Sequence, residues 1–426
     1  MKLLVVTTVL PSKNTLRTIY FKMILKEIRK TDKFKIIWLV NQPDPVETFD
    51  DEFESVRDIH EFQNGLDAIN SIKPDIILVN LWIEVIQHSI SLAANFMNIP
   101  IIAFAGAKVH STQKIGKISY NMRRRFFSNI VPTDSFEQKQ FLRRGRFQIF
   151  KFLFLLKTRI VINIGFFKSI IISVNNIFMY FFDKALPPNP FPSYYLLHND
   201  SEIKPLKDLN IPSQKLIVVG NPLLDHIKKK SFEYKYNKKN SNTIKLLIVT
   251  DSLYQHGVWS LKQRDIFFNN LFDKLTKNKN IYFDFKIHPT SENKDYYEKL
   301  ISNFNSTSKI FQSEDLWDII GQYDIALTYG MSTSHTEISY SGMRMIKIYD
   351  IGVDLPDFPL VEEGIISGHI KRCDDISDIL NIVSSFIKIE PKLSSSFMKS
   401  RDQLFNKRHG NAGKRIADIL LQMLEK

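Results

Sequence analysis

The sequence contains a single cysteine, Cys373, among its 426 residues. One thiol cannot build a disulfide framework within a chain, and it excludes a cysteine-rich metal site as well. Such sparing use of cysteine fits a reducing compartment. The first residues, MKLLVVTTVLPSK, lack a small-residue cleavage site, and we therefore interpret them as a buried strand rather than a signal peptide. Together these absences predict a cytoplasmic protein.

Acidic residues are too few to balance the basic ones. Lys and Arg number 58 against 45 Asp and Glu, which gives a formal net charge of +13. Such an excess favours anionic partners, namely nucleic acid, a phosphorylated substrate or lipid headgroups. The sequence has no zinc finger and no aromatic-basic RNA-binding motif, so we expect no nucleic-acid partner.

Short apolar runs, bounded by turn residues and separated by helix-length segments, recur along the chain. Their apolarity is continuous rather than alternating, which is typical of parallel strands buried on both faces. Strands that alternate with helices in this way predict a doubly wound α/β architecture. The runs form two sets, the first at 2–8, 34–40, 75–80, 99–104, 194–199 and 215–220 and the second at 244–250, 281–288, 324–330 and 344–350.

A polar break rich in lysine and asparagine separates the two sets at residues 228–243. We therefore predict two Rossmann-like domains with doubly wound parallel sheets, residues 1–220 and 221–426, facing a cleft. A chain of this length also suits two domains, because single cores stop growing beyond about 250–300 residues. The last helix could pack back on the N-terminal domain.

A hydrophobic and basic segment at 146–184 does not fit this alternation. Its longest run without a charge is the 14 residues 169–182, whereas a helix needs about 20 apolar residues to span a bilayer. Aromatic residues interleaved with cations suit the membrane interface instead. We therefore predict peripheral attachment to the cytoplasmic face of a membrane, and the alternative is a pair of buried helices. The side chains expected at the interface are Phe152, Phe154, Phe166, Phe167 and Lys168.

The stretch YDIALTYGMSTSHTEISYSG, residues 323–342, runs an apolar strand into small hydroxyl residues and a helix. In open α/β sheets, ligands bind beyond the carboxyl ends of strands, where helix N-termini present N–H groups. Gly330 allows close backbone approach, and Glu337 could accept hydrogen bonds from ribose hydroxyls. The alternative is a serine N-cap with a surface glutamate. The hydroxyl residues that could cap the helix and bind a phosphate are Ser332, Thr333 and Ser334.

A second stretch, FKIHPTSE, ends a strand with His288 and Pro289. The imidazole at this edge could donate to a phosphate oxygen or polarise a leaving group. The stretch TDSLYQHGVW follows the first strand of the second half, where Asp251, Ser252 and Gly257 could close over a diphosphate. Because we interpret these as adjacent βα units of one half, we expect their tips to meet.

Two further elements concern the first half. In VVGNPLLDHI, residues 218–227, we interpret Gly220, Asn221 and Pro222 as a tight turn or interdomain hinge. In AFAGAKVHS, His110 lies in a loop that should face the cleft, where it could take a proton from an acceptor hydroxyl. The alternative for His110 is an exposed loop histidine. Arg17, which follows the first strand, is a further candidate for contact with a phosphate.

The order of these motifs resembles the GT-B glycosyltransferase superfamily. Within it, KIHP (286–289) and the stretch 323–350 are similar to CDP-glycerol glycerophosphotransferases and to bacterial sialyl- and polysialyltransferases. The resemblance implies that His288 and the Ser332–Thr333 pair contact the phosphates of a cytidine nucleotide. Glycerophosphotransferases also place a histidine at a point comparable to His110.

Other motifs resemble the non-hydrolysing UDP-N-acetylglucosamine 2-epimerases, another GT-B group. They are VVGNPLLDHI and GNAGKRIADILLQML, the latter at 410–424. The epimerase pattern has paired glutamates where this chain has Thr336 and Glu337, which argues against epimerisation. The acidic motif of bacterial sialyltransferases is not evident in the first half.

The resemblance covers most of 190–426 and is only architectural over 1–190. It predicts a metal-independent transferase that moves a sugar or polyol phosphate from a CDP-, CMP- or UDP-linked donor, without another cofactor. The acceptor would be a membrane-associated, lipid-linked molecule or a glycan in surface polysaccharide or glycolipid synthesis. The alternatives are a UDP-N-acetylglucosamine 2-epimerase and a non-catalytic nucleotide- or lipid-binding protein.

Overall fold

The structure is a computed structural model. It describes residues 1–8, 16–81, 84–104, 135–163, 165–168, 170–171, 174, 190–233, 243–255, 258–289, 292–304, 307–355, 357, 359–388, 395, 397, 399 and 410–424. His110, Gly257 and the side chain of Arg17 lie outside this description. No helix within the described ranges is long and apolar enough to cross a membrane.

Parallel strands alternate with helices through most of the chain. The strands are β1 Lys2–Thr7, β2 Lys35–Val40, β3 Phe49–Asp50, β4 Glu54–Asp58, β5 Ile76–Asn80, β6 Ile101–Phe104, β7 Tyr194–Leu197, β8 Leu216–Val218, β9 Ile244–Val249, β10 Ile281–Lys286, β11 Ile310–Phe311, β12 Ile325–Tyr329, β13 Arg344–Ile348 and β14 Ile370–Cys373. The helices are α1 Leu16–Arg29, α2 Gly65–Ile72, α3 Val85–Phe96, α4 Ser135–Val161, α5 Ile203–Asp208, α6 Pro222–Glu233, α7 Leu261–Leu275, α8 Lys294–Asn303, α9 Leu316–Ile319, α10 Ser334–Ser341, α11 Pro359–Ile366, α12 Ile379–Phe386 and α13 Ala412–Leu424.

The first compact unit comprises Met1–Lys108, Asn129–Asp225 and Lys407–Lys426. Its eight-stranded sheet has the order β3-β4-β2-β1-β5-β6-β7-β8, and only β3 runs antiparallel to its neighbour. The central strands are predominantly apolar and mostly buried, as the continuous hydrophobic runs predict; β1, for example, buries every residue except Lys2. The chain reverses its direction of winding between β1 and β5, which makes the sheet doubly wound.

The second compact unit comprises Val109–Ser128 and His226–Asn406. Its six strands are all parallel in the order β11-β10-β9-β12-β13-β14. Numbered within the unit, this order is 3-2-1-4-5-6, the arrangement of a Rossmann fold. Its topological switch point, where ligands bind in such folds, lies between β9 and β12. The predicted α/β class with two doubly wound parallel sheets is confirmed.

The C-terminal helix α13 packs on α1 of the first unit. The two helices approach each other closely, since a Cβ on Gly413 of α13 would lie 2.8 Å from the carbonyl oxygen of Met23 on α1. Asp225 accepts hydrogen bonds from the backbone N–H groups of Gly410 and Ala412, both at 2.8 Å. The two motifs that resemble epimerases therefore bind each other, and this contact gives them a structural role.

The turn before α6 has the geometry that its sequence predicts. Gly220 has φ +88°, a left-handed conformation that glycine adopts without strain. Asn221 is buried and accepts the N–H of Leu223 at 2.9 Å, and Pro222 occupies the first position of the helix. This turn lies in the first unit, whereas the described candidates for nucleotide and phosphate binding lie in the second.

Part of the segment predicted to contact a membrane is core. The helix α4 packs on α2 and α3, and it buries Phe154 and Thr158 almost completely. The prediction that Phe154 lies at a membrane interface is wrong, because the period of the helix turns that side chain into the unit. Phe152 is half-buried, whereas Phe166, Phe167 and Lys168 are exposed.

Candidate functional site

The switch point of the second unit brings the ends of β9 and β12 together. The two strands are neighbours, with Thr328 opposite Val249. Immediately beyond them, the Asp251 carboxylate accepts a hydrogen bond from the N–H of Met331 at 2.6 Å. Two of the predicted segments, the one after β9 and the one after β12, therefore meet at one point.

Gly330 is required by this contact. Its φ is +73°, and a Cβ at this position would lie 2.3 Å from Oδ2 of Asp251. The close approach predicted for Gly330 thus exists, and its partner in this structure is the Asp251 side chain. Any larger residue would strain the backbone and displace the carboxylate.

Burial raises the pKa of Asp251 to about 6, although the N–H groups of Met331 and Ser252 and the charge of Lys347 act in the opposite direction. Lys347 is buried on β13 and forms an ion pair with Asp357. The pKa of Asp251 therefore lies much closer to neutral pH than that of an ordinary aspartate. Groups of this kind are frequent at functional sites.

The hydroxyl residues at the start of α10 are half-buried. The Oγ atoms of Ser332 and Ser334 lie 2.5 Å apart, and Ser332 Oγ accepts a long hydrogen bond of 3.4 Å from the Ser334 N–H. Thr333 is the N-cap residue but makes no capping hydrogen bond through its side chain. Ser332 therefore takes the predicted capping role only weakly, and Thr333 does not take it.

Other hydroxyl groups near the same strand ends are buried. Ser252 and Thr328 are fully buried, Thr336 is nearly so, and their hydroxyl oxygens have no hydrogen-bond partner among the described residues. A buried hydroxyl without a partner costs free energy, so its presence calls for an explanation. Ser252 was predicted to be a site residue from its position after β9.

His288 is connected to this edge through Glu292, a residue that the sequence analysis did not identify. The buried Glu292 carboxylate accepts the N–H of His288 at 2.6 Å and also the hydroxyl of Thr250, which follows β9. Burial raises the pKa of Glu292, against the effect of these donors. The signal available in the sequence was an acid four residues after His288.

The βα units that carry His288 and Ser332 are not adjacent in the sheet, in contrast to our expectation. β10, which precedes His288, and β12, which precedes Ser332, lie on opposite sides of β9. The segment after β9 therefore connects the two, since Thr250 binds the Glu292 that holds His288, while Asp251 binds Met331.

Glu337 is buried and accepts a hydrogen bond from Trp317 Nε1 at 3.0 Å. The alternative of a surface glutamate is therefore wrong. Burial, together with the nearby charge of Asp315, raises the pKa of Glu337 to about 8, while the Trp317 hydrogen bond and Lys286 oppose the rise. The carboxyl group is thus mainly protonated at neutral pH.

Lys286, at the end of β10, begins the KIHP motif, but its sequence position alone did not indicate a role for it. It is buried, and its Nζ donates to the carbonyl oxygens of Gln312 at 2.9 Å and Ile287 at 3.1 Å. Burial lowers its pKa, and surrounding acids that include Glu337 and Glu292 raise it. Among the described residues, no cluster of His, Cys, Asp and Glu is arranged to hold a metal ion.

By sequence, the chain matches neither a protein-family model nor a curated protein. By structure it is similar to the Methanocaldococcus jannaschii UDP-GlcNAc 2-epimerase in complex with UDP-GlcNAc and UDP (14% identity, 99% of this chain and 100% of the other, TM-score 0.51). The Rickettsia bellii UDP-N-acetylglucosamine 2-epimerase is similar at 12% identity, 100% and 97% coverage and TM-score 0.51. A glycotransferase of kitacinnamycin matches at 12% identity, 99% coverage of both chains and TM-score 0.50. These full-length matches, with two Rossmann-like units, show that the chain has the GT-B fold.

Proposed function

We propose that this protein is a GT-B transferase that moves a sugar or polyol phosphate from a nucleotide-activated donor to an acceptor held at a membrane surface. The observation that carries the proposal is the Asp251–Met331 contact at the switch point of the second unit. It joins two loops at the position where a Rossmann sheet binds its nucleotide. The biological setting we propose is the synthesis of surface polysaccharide or glycolipid.

The donor phosphates would bind at the start of α10. The hydroxyls of Ser332, Thr333 and Ser334, with the backbone N–H groups and dipole of the helix, suit an anion. Thr333 makes no capping bond through its hydroxyl, so this group can bind a ligand without loss of a fold contact. His288 would donate to a phosphate oxygen from the neighbouring loop.

Transfer requires one bond to form and one to break. The acceptor oxygen attacks the reacting carbon or phosphorus of the donor, and the bond from that atom to the nucleotide's phosphate oxygen breaks. The acceptor proton passes to a base, for which His110 is our candidate. Charge that develops on the departing phosphate would be stabilised by helix N–H groups and hydroxyls, without a metal ion.

Epimerisation of a UDP-N-acetylhexosamine is the second candidate, favoured by the structural similarity to epimerases, one of them in complex with UDP-GlcNAc and UDP. Against it, the position before Glu337 is a buried threonine, and a hydroxyl cannot replace a second carboxylate as an acid or base. Incubation with UDP-GlcNAc alone discriminates the two candidates. Formation of a new epimer would contradict the transferase proposal.

The first test is a thermal-shift screen of the purified protein against UDP, CDP, CMP and GDP. We expect one nucleotide to raise Tm by an amount that grows with its excess over Kd. Ser332→Ala/Thr333→Ala should remove most of this shift. The matched control, Ser302→Ala in the exposed part of α8, should keep it. If no nucleotide shifts Tm, or if the double variant keeps the full shift, the proposed donor site is wrong.

A further inference from the structure

The helix α4 has two faces of different character. The inward face buries Phe147, Phe154, Leu155 and Thr158 against the first unit. The opposite face exposes large apolar side chains, among them Ile149 at 63% and Leu153 at 49%. An amphipathic helix normally turns a polar face to solvent, so the apolar character of this outward face is unusual.

We define the outward face by five exposed residues at helical spacing. They are Arg146, Ile149, Leu153, Lys157 and Ile160. From Ile149 to Ile160 the stripe is about 16 Å long at 1.5 Å per residue. It is too short to span a bilayer, but a helix of this kind can lie along the surface of one.

Further exposed apolar side chains follow the end of the helix in the sequence. Phe166 and Phe167 are 55% and 79% exposed, and Ile171 and Val174 are exposed as well. Half of the exposed large apolar side chains in the described parts of the chain lie between Ile149 and Val174. Such a concentration indicates an interaction surface rather than scattered surface hydrophobes.

Charge identifies the partner. Residues 138–182 contain eight Lys and Arg but no Asp or Glu. The inward cations have partners, because Lys151 pairs with Glu84 at 2.7 Å and Arg159 lies 3.3 Å from His88 Nε2. Cations that remain exposed, such as Lys157 and Lys168, lie beside the apolar side chains. Apolar groups flanked by long cationic side chains suit a bilayer, since the former enter the acyl boundary and the latter reach anionic headgroups.

We propose that the outward face of α4, with Phe166, Phe167 and Lys168, is the surface by which the protein binds an anionic lipid bilayer. The proposal names the residues of the membrane contact that the proposed function needs, and it replaces Phe154, which is core. Vesicle binding does not depend on the chemistry of the second unit, so the two proposals can fail separately.

The test is co-sedimentation of the full chain with phosphatidylcholine vesicles that contain or lack phosphatidylserine. We expect the wild type to sediment with the anionic vesicles, and added salt to weaken binding. Leu153→Ser/Lys157→Ser removes one apolar and one cationic contact, so binding should weaken at least about tenfold. The matched control is Lys262→Ser/Ile266→Ser, an exposed pair at the same spacing on α7, which should bind like the wild type.

Wild type that stays in the supernatant with both vesicle types would overturn the proposal. Equal weakening by the control pair would overturn it too, because the surface would then not be specific. If the wild type elutes as a dimer that Leu153→Ser/Lys157→Ser converts to a monomer, without vesicle binding, the face belongs to a second copy of this chain. The nucleotide-induced Tm shift of each variant is measured in parallel and reports separately on the donor site.

Discussion

The two sheets share a Rossmann order, yet their switch points hold different chemistry. In the first unit, the side chain of Gln87 bonds both neighbouring strands: its Nε2 donates to Val6 at 3.3 Å, and its Oε1 accepts from Asn80 at 2.8 Å. Glu84 nearby is neutralised by Lys151. In the second unit, the corresponding point holds Asp251, whose pKa is raised by burial. In both units the polar group at the switch point holds the fold, and under the proposed function the second unit also binds a ligand beside it.

Replacement of Gly330 by alanine should cause the largest effect. It combines a left-handed backbone with a Cβ only 2.3 Å from Asp251 Oδ2. We expect a loss of about 3–4 kcal/mol in the free energy of unfolding. The matched control is Gly368→Ala, which has φ +75° but no atom within 4 Å of the new Cβ and should lose only about 1–2 kcal/mol. Equal losses in urea unfolding would show that the Asp251 contact adds nothing.

Lys151→Met should cause the next largest loss in the free energy of unfolding, and it tests the first unit. The Lys151 Nζ contacts Glu84 at 2.7 Å and lies 4.7 Å from the centre of the Phe147 ring. Its removal leaves Glu84 without a cation in a partly buried position, at a cost of about 1–3 kcal/mol. The exposed Lys157→Met, six residues along the same helix, should change stability by less than about 0.5 kcal/mol. Similar values for both variants would contradict the contrast between the faces of α4.

Glu337→Gln should change the pH dependence of stability. The folded pKa of about 8 exceeds the ordinary glutamate pKa of 4.5, so between these values the folded state holds a proton that the unfolded state has lost. The contribution of this group to the stability of the wild type is therefore greatest below about pH 4.5, and it decreases as the pH rises toward 8. The variant lacks this loss, and its Tm should fall less between pH 5 and pH 8. Glu298→Gln, at an exposed carboxylate, should follow the wild type.

Thr333→Ala should have the smallest effect on stability. Thr333 makes no capping bond, whereas Ser260 caps α7 by accepting the N–H of Gln263 at 3.2 Å. We expect Ser260→Ala to cost about 1 kcal/mol and Thr333→Ala less than about 0.5 kcal/mol. Comparable losses in both would mean that Thr333 is part of the fold and not reserved for a ligand.

The sequence predicted the fold class and the central strands because a continuous apolar run between turn residues is typical of a buried parallel strand. It missed β3, β4, β11 and β14, which are short or carry charges, as in ESVRD at 54–58. Such strands depend on pairing with neighbours that are distant in the sequence. The switch-point residues Asp251 and Gly330 were found because strand ends mark them.

Contacts between side chains were not predictable in the same way. Trp317 is an ordinary residue in sequence, and only the folded chain brings it to Glu337. Glu292 lies close to His288 in sequence, but only the folded chain brings Thr250 to the same carboxylate. The same limit applies to α4, where composition indicated a membrane segment but could not tell its two faces apart. The burial of Phe154 follows from helical period and packing on α2 and α3.

Calorimetric titration of the best nucleotide from the screen tests the central claim most directly, namely that the switch point of the second unit binds a nucleotide-activated donor. We expect binding at one site in the wild type, and affinity at least about tenfold lower in Ser332→Ala/Thr333→Ala, from loss of two phosphate contacts. Unchanged affinity in that variant, with its Tm preserved, would contradict the claim.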